Sequence, residues 1–559
     1  MFHRSKTIAA FYICRIQRKV GDMEVDNTAV GNTDGQRWPG RSRIVRGSRI
    51  VIASSFGALL EWYDLYIYAA LAGTFAHLFF PPGNPTAAML SSLAVFGAAF
   101  VLRPIGAIIF GYIGDRIGRK RTFGMTIVLI GGATMGIGLL PTYSQIGVLA
   151  PVLLVVLRLM QGLALGGEVG GAATYLTEHA DKHRRGLVSS CLQMTATGGL
   201  VLSIIVVTMS RAWMSTAMFD RWGWRIPFLV SLILLYTAIK LRAGLNESPV
   251  FEQCKAQGKL ARNPIAASFL DRQNLKKVLV LLFSAAAGVG VLYGTGHFYS
   301  FYFVSTVLRV DPETTNVLMV TSLIAAAPFY FVSGWLSDHF GRKWIMVLAC
   351  LAAALTIQPV FKALTHYANP QLEKFLAETA IDVSANDCTF RLFSPAVTAC
   401  DKTRDYLSLA GVSYRTSPAD GTGMVTTIGA QRIEGFDAAK LKAALEGAGW
   451  REHADETQVN KPMVFLLLWY LIILLTLIYG PIVAFMVELF PANVRYTSLS
   501  LPYHIGAGWF GGMLPFVVSA LNLSVGNIYA GLWYPIGVAA LAFVVGALFM
   551  TETKNNDIN

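Results

Sequence analysis

Long apolar runs, broken only by short charged connections, constrain this chain more than any other feature. A run of about 18 or more apolar residues can cross roughly 30 Å of hydrocarbon as a helix. Twelve spans are expected, at about 49–80, 87–112, 123–142, 148–176, 187–209, 225–245, 275–306, 313–337, 343–364, 462–488, 496–522 and 526–550. Only 14% of the 559 residues are charged, against about 25% in a soluble domain. The expected fold is therefore all-α and embedded in a membrane. Glycines such as Gly162, Gly166, Gly167, Gly170 and Gly171 fall at helical spacing, which lets helix backbones approach closely.

The net charge of +13 raises nucleic acid as a partner, but its distribution argues against one. Lys and Arg gather before the first span (Arg37, Arg41, Arg43, Arg46, Arg49), in 116–121, in 182–185 and in a 246–274 linker with its flanks. The alternate connections 81–86 and 141–147 carry none, although 211–225 holds Arg211, Arg221 and Arg225. This bias places both termini in the cytoplasm, and the basic patches meet anionic lipid. Residues 1–48 read as an irregular cytoplasmic tail, with Met23 a candidate start, and 552–559 as a second one.

Two short sequences recur. GYIGDRIGRKRT (Gly111–Thr122) returns as GWLSDHFGRKW (Gly334–Trp344), 223 positions later. LTEHADKHRRG (Leu176–Gly186) returns as VELFPANVRY (Val487–Tyr496), 310 positions later. The chain thus divides into two similar six-span bundles, 49–245 and 275–365 with 461–551. The difference in offset leaves 87 extra residues in the second half, within the polar stretch 366–460. Its 9 Lys/Arg and 13 Asp/Glu give it a net charge of −4, as expected of an external, periplasmic insertion. Cys388 and Cys400 lie there, as a disulfide in an oxidising compartment or as two free thiols. Asp437 can cap a helix over 437–446 that Gly447 or Gly449 ends. With strand-like 423–429 before it, a small α+β unit is expected.

The charged turns suggest a gate. Asp115, Arg119, Glu178 and Arg185 in the first half recur as Asp338, Arg342, Glu488 and Arg495 in the second. Acid–base pairing between adjacent connections would latch the cytoplasmic helix ends; simple topology marking by basic residues is the other reading. These motifs, with Arg158-Leu-Met-Gln161-Gly162 in the fourth span, resemble the major facilitator superfamily. FGALLEWYDLYIY (Phe56–Tyr68), VLRPIGAIIFGYIGDRIGRKRT and RLMQGLALGGEVGGAATYLTEHA are similar to its metabolite:proton symporter subfamily, which carries proline and betaine, α-ketoglutarate, shikimate and citrate. The resemblance covers all but the tail and the 366–460 insertion, from which the family pattern departs. It implies a multi-pass carrier of the inner membrane, working as a monomer on a small-molecule substrate and protons.

Ionisable residues inside spans are functional candidates. Asp64, Glu61 and Arg103 fall near the midplane, where Asp64 and Arg103 could pair. Asp64, with Glu61, is the candidate proton carrier under the control of Arg103; a static ion pair is the alternative. Arg158 is a candidate carboxylate anchor, or a structural arginine, and Glu168 could complete an internal ion pair. Gln161, Tyr63, Tyr293, His297 and Gln193 complete the substrate-site candidates, though packing or an interfacial aromatic belt also accounts for the aromatic ones. There is no P-loop, HExxH, CxxC or nucleophile elbow, so no enzyme, metal or cofactor is implied. The expected function is proton-coupled uptake of a small carboxylate or zwitterionic metabolite. A proton-antiport exporter of amphipathic compounds and a non-transporting sensor using the insertion are the alternatives.

Overall fold

The computed structural model describes residues 40–81, 85–243, 247–389, 396–419 and 423–558. Met23 lies outside them. The first half comprises α1 (Gly40–Ala70), α2 (Ala72–Phe79), α3 (Pro85–Val101), α4 (Arg103–Ile117), α5 (Arg119–Leu139), α6 (Leu149–Glu178), α7 (Arg185–Ala212) and α8 (Ile226–Ala243). The second comprises α9 (Arg272–Val307), α10 (Pro312–Phe340) and α11 (Lys343–Ala368), then α12 (Ala399–Leu409) and α13 (Ala438–Gly447) in the polar stretch, then α14 (Lys461–Leu489), α15 (Arg495–Val525) and α16 (Trp533–Phe549).

One expectation needs correction, and a second is met in part. The irregular tail was expected to reach residue 48, yet α1 is helical from Gly40, because extending an existing helix is far cheaper than starting one. Among the described residues, eleven helices are long and apolar enough to cross a membrane, where twelve spans are expected. The first expected span falls on α1 and α2, which meet at Leu71, and the side chains of α1 before Val51 lie outside the described ones. The second expected span bends at Leu102 between α3 and α4, where Pro104 in the first turn of α4 has no N–H to continue the ladder, yet Ala94–Ile117 remains one of the eleven.

Glycine sets the tightest helix contacts. A Cβ at Gly106 would sit 1.9 Å from the Leu163 carbonyl oxygen, and one at Gly162 2.0 Å from that of Ala99. These residues press α3 and α4 onto α6 backbone to backbone. In the second half, Gly290 and Gly506 do the same for α9 and α15, at 2.1 Å. Both helices carry π-helical turns, over Leu282–Ala286, Gly294–Tyr299 and Phe303–Val307 in α9 and Ile505–Gly512 in α15. Such turns interrupt the regular ladder and cluster at functional sites.

Between α11 and α14 lies a four-stranded sheet of β1 (Ile381–Ser384), β2 (Arg415–Ser417), β3 (Val425–Ile428) and β4 (Gln431–Glu434), in the order β2-β1-β3-β4. β1 pairs parallel with β2 and antiparallel with β3. The Asp437 carboxylate caps α13, and a disulfide joins Cys388 to Cys400 at the start of α12. The unit is pinned to the second half. Arg404 donates to the carbonyls of Leu523 and Ser524 at 3.0 and 3.1 Å, and the Tyr414 amide to that of Gly526 at 2.7 Å. Asn369 reaches the Leu308 carbonyl at 2.9 Å.

Candidate functional site

At one end of the bundle, the two copies of each charged motif form a buried latch between the halves. The Asp115 carboxylate accepts the backbone N–H of Thr497 at 2.9 Å and its hydroxyl at 2.8 Å, at the start of α15. The Asp338 carboxylate accepts the backbone N–H groups of Gly186 and Leu187, both at 2.8 Å, at the start of α7. Each aspartate therefore meets the free donors at the first turn of a helix in the opposite half, where the dipole favours negative charge. Arg119 and Arg342 sit one turn beyond these aspartates and pair with them at 3.3 and 2.7 Å. A glycine precedes each arginine because the turn needs positive φ, 122° at Gly118 and 101° at Gly341.

The glutamates cross over. Glu178 at the end of α6 pairs with Arg495 of the second half at 2.6 Å. Glu488 at the end of α14 takes Arg342 at 3.1 Å and Arg185 of the first half at 3.7 Å. Pairing between neighbouring connections was the expectation. The approximate two-fold arrangement instead brings the end of α6 to the start of α15 and the end of α14 to the start of α7. All eight side chains are buried, so removing a carboxylate that is an arginine's one ion-pair partner among the described residues, as Glu178 is for Arg495, leaves a charge without compensation, a loss of about 3–5 kcal/mol.

Two residue pairs complete the latch without having been singled out. Glu247 accepts the backbone N–H groups of Arg119 and Lys120 at 3.0 and 3.2 Å, and Ser248 donates to Glu178. Glu552 accepts those of Arg342 and Lys343 at 2.9 and 3.1 Å, and Thr553 donates to Glu488 at 2.9 Å. The signal was present as Glu-Ser after α8 and Glu-Thr after α16, but a two-residue repeat is invisible until the fold aligns it.

Inside the first half, the expected pairing of Asp64 with Arg103 does not form. Asp64 accepts the hydroxyls of Thr134, at 3.0 Å, and Ser231. The Gln161 amide donates to Thr134 at 2.7 Å, and Arg158 donates to the Gln161 carbonyl oxygen at 2.8 Å. Asp64, Thr134, Gln161 and Arg158 thus make one continuous buried chain. Arg158 also lies 4.2 Å from the Tyr68 ring centroid and reaches the Phe96 carbonyl at 3.4 Å. These contacts take up both terminal nitrogens of the guanidinium expected to anchor substrate, while its Nε has no partner among the described residues, and they build Gln161 into the chain. Tyr63 is likewise taken up in packing, donating to the Pro227 carbonyl at 2.9 Å. Glu168 accepts the Thr126 hydroxyl at 2.7 Å.

Arg103 faces a different set. It interacts electrostatically with Glu61 and with the hydroxyls of Tyr503, Tyr479 and Tyr66, and its guanidinium carbon lies 4.3 Å from the Phe100 ring centroid. Its Nε and Nη2 are buried with no hydrogen-bond partner among the described residues. Both His297 ring nitrogens and the Tyr293 hydroxyl share that condition. Tyr293 stacks on His297 at 4.6 Å and meets Trp62 of the first half at 5.5 Å. Gln193 of α7 contacts Tyr503 of α15. Toward the end opposite the latch, a cavity of ≈ 320 Å³ lies between the halves, lined by Tyr66, Arg211, His297, Phe298 and Asn316 among others. Unsatisfied donors converging between two bodies are what a polar ligand would satisfy.

Residues 50–279 match the family model described as sugar (and other) transporter. The chain is 34% identical to the α-ketoglutarate permease of Escherichia coli K12 over 509 residues, covering 90% of this chain and 94% of that protein. It is 33% identical to the shikimate transporter of the same organism, over 71% of this chain and 90% of the relative. The inner membrane metabolite transport protein YhjE, also of Escherichia coli K12, is 29% identical across 91% and 96% of the two chains. Among solved structures, a major facilitator superfamily proton:xylose symporter, XylE, superposes with a TM-score of 0.63 at 16% identity, over 92% of this chain and 98% of that one; this likeness is one of fold alone.

Proposed function

The chain belongs to the major facilitator superfamily of metabolite transporters, a multi-pass membrane protein moving small molecules, and on that premise we propose that it takes up a small carboxylate or zwitterionic metabolite together with protons by alternating access. The observation carrying the substrate class is Arg103, a buried guanidinium between the halves with two nitrogens still able to donate. A carboxylate placed there would accept from them bidentately. Glu61 beside it would meet an ammonium group of a zwitterion or compete with an anion for Arg103. Tyr66, Tyr293, His297, Gln193, Tyr479 and Tyr503 would supply the remaining hydrogen bonds. The names of two relatives, for α-ketoglutarate and shikimate, both carboxylates, agree with that class.

Proton coupling rests on Asp64. A buried carboxylate held by two hydroxyls and linked through Thr134 and Gln161 to Arg158 changes its proton affinity whenever the chain of bonds is disturbed. Rocking of one half against the other would supply that disturbance, and Asp64 would take a proton from one side and release it to the other. The latch holds one end shut in this conformation. We assign that end to the cytoplasm, with both termini there, twelve spans crossing the inner membrane, the 366–460 unit outside, and a single chain as the working unit.

The test is uptake into proteoliposomes with an inward proton gradient, using labelled dicarboxylates and tricarboxylates, shikimate, proline and betaine. Gradient-driven accumulation of one compound is expected, lost in Asp64→Asn with exchange retained and lost altogether in Arg103→Gln. Unchanged uptake in Asp64→Asn would exclude the proton role. Efflux of preloaded cationic compounds in exchange for protons, with none of the panel accumulating, would replace uptake by export.

A further inference from the structure

The last described residues lie across the latch. After α16, Glu552 and Thr553 bind their own half, as Glu247 and Ser248 do in the other. The two copies then diverge. Following Ser248 the chain enters a short helix, Pro249–Ala256. Following Thr553 it crosses to the other half. The Asn556 carbonyl accepts from Arg185 of the first half at 3.1 Å, while its side-chain amide donates to the Glu488 carbonyl of the second at 3.2 Å. Asp557 pairs with Lys182 of the first half at 2.5 Å. The Ile558 carbonyl accepts from Arg495 of the second at 2.7 Å, and its side chain is buried. Lys554 donates to the His339 carbonyl of the second half at 2.6 Å.

We infer that residues 554–558 are a strap that holds the latched end closed and must let go of one half before that end opens. The inference rests on the alternating-access reading above. The reasoning is geometric. Arg185 and Lys182 stand on α7 and its lead-in, whereas Arg495, Glu488 and His339 stand on second-half helices. No short peptide can keep hydrogen bonds to both sets once the halves separate. The latch carboxylates Glu178 and Glu488 each leave an arginine with further donors, and the strap's carbonyls satisfy one on each side. Two guanidiniums that would otherwise face water in the closed state are thereby sealed, which favours closure.

The experiment uses the full-length protein with Cys14, Cys191, Cys254 and Cys350 replaced by Ser and Ser190 by Cys. Ser190 faces Gly334 across the interface, 2.9 Å from where a Cβ on that glycine would lie, so labelling of Ser190→Cys by N-ethylmaleimide reports opening of this end whatever the substrate. Truncation after Lys554 should raise the labelling rate about tenfold, and Asp338→Asn in the untruncated chain should raise it too. A rise with Asp338→Asn but not with truncation overturns the strap and leaves alternating access standing; no rise with either removes both. A second arm does not depend on truncation. In the Asp338→Asn background, Lys182→Cys with Asp557→Cys, once oxidised, should suppress labelling of Ser190→Cys, read on its own peptide by mass spectrometry, and reduction should restore it. Labelling that continues across the closed crosslink overturns the inference.

Discussion

Replacing Asp338 by Asn tests the latch where its geometry is most exacting. One carboxylate oxygen takes the Gly186 N–H and the other the Leu187 N–H, both at 2.8 Å. Asparagine keeps one oxygen and turns an NH₂ toward the second donor, so one backbone N–H loses its acceptor and the other loses the ionic part of its bond. Arg342 stays paired with Glu488 at 3.1 Å, so no orphan charge is created. Hydrogen bonds to charged groups contribute about 1.5–3 kcal/mol each. Water reaches the donors once the end opens, so the net shift should be about 2 kcal/mol, or roughly thirty-fold in the ratio of closed to open states. The measurement is a spin-label distance distribution between His183→Cys and Phe340→Cys, both exposed and on opposite halves. A longer population should appear in Asp338→Asn. Asp115→Asn should shift it less, since its bond from Tyr496 N is already 3.4 Å. Asp382→Asn in the sheet should leave it unchanged. If Asp338→Asn gives the parent distribution, the aspartate does not hold the halves together and the latch must be ascribed to the glutamate pairs alone.

Gly106→Ala should lower the thermal midpoint of the detergent-solubilised protein, since its Cβ would fall 1.9 Å from the Leu163 carbonyl and overpacking costs about 1–3 kcal/mol; Gly132→Ala, which meets nothing within 4 Å, should leave the midpoint within error. Cys388→Ser with Cys400→Ser should destabilise the sheet unit by about 3 kcal/mol, the loop-closure entropy of a link spanning 12 residues, read as faster proteolysis confined to 366–460. The Asp437 carboxyl is held below its usual range by the backbone N–H groups of Lys440 and Ala439. A lowered pKa contributes stability that is complete above the ordinary carboxylate range and lost as pH falls through the folded value. Thermal scans of the parent should therefore fall as the pH drops below the ordinary carboxylate range of about 4, and the Asp437→Asn variant should show a smaller drop.

What could be read without coordinates followed from the cost of placing polar backbone and charge in hydrocarbon. Apolar run length set the helices, and the duplicated Gly118-Arg119-Lys120 and Gly341-Arg342-Lys343 turns set the halves. The membership of the latch was legible for the same reason, because a buried charge must be repeated with its partner. Its pairing was not. Glu178 with Arg495, and Glu488 with Arg185, depend on which helix ends the two-fold packing brings together, and no local spacing encodes that. The surroundings of the two arginines were not legible either. Arg158 and Arg103 are both single basic residues near the middle of an apolar span, and sequence treats them alike. Only the tertiary structure surrounds Arg158 with Gln161, Phe96 and Tyr68 and leaves Arg103 with donors free between the halves, because satisfaction of a hydrogen bond is a property of neighbours distant in the chain.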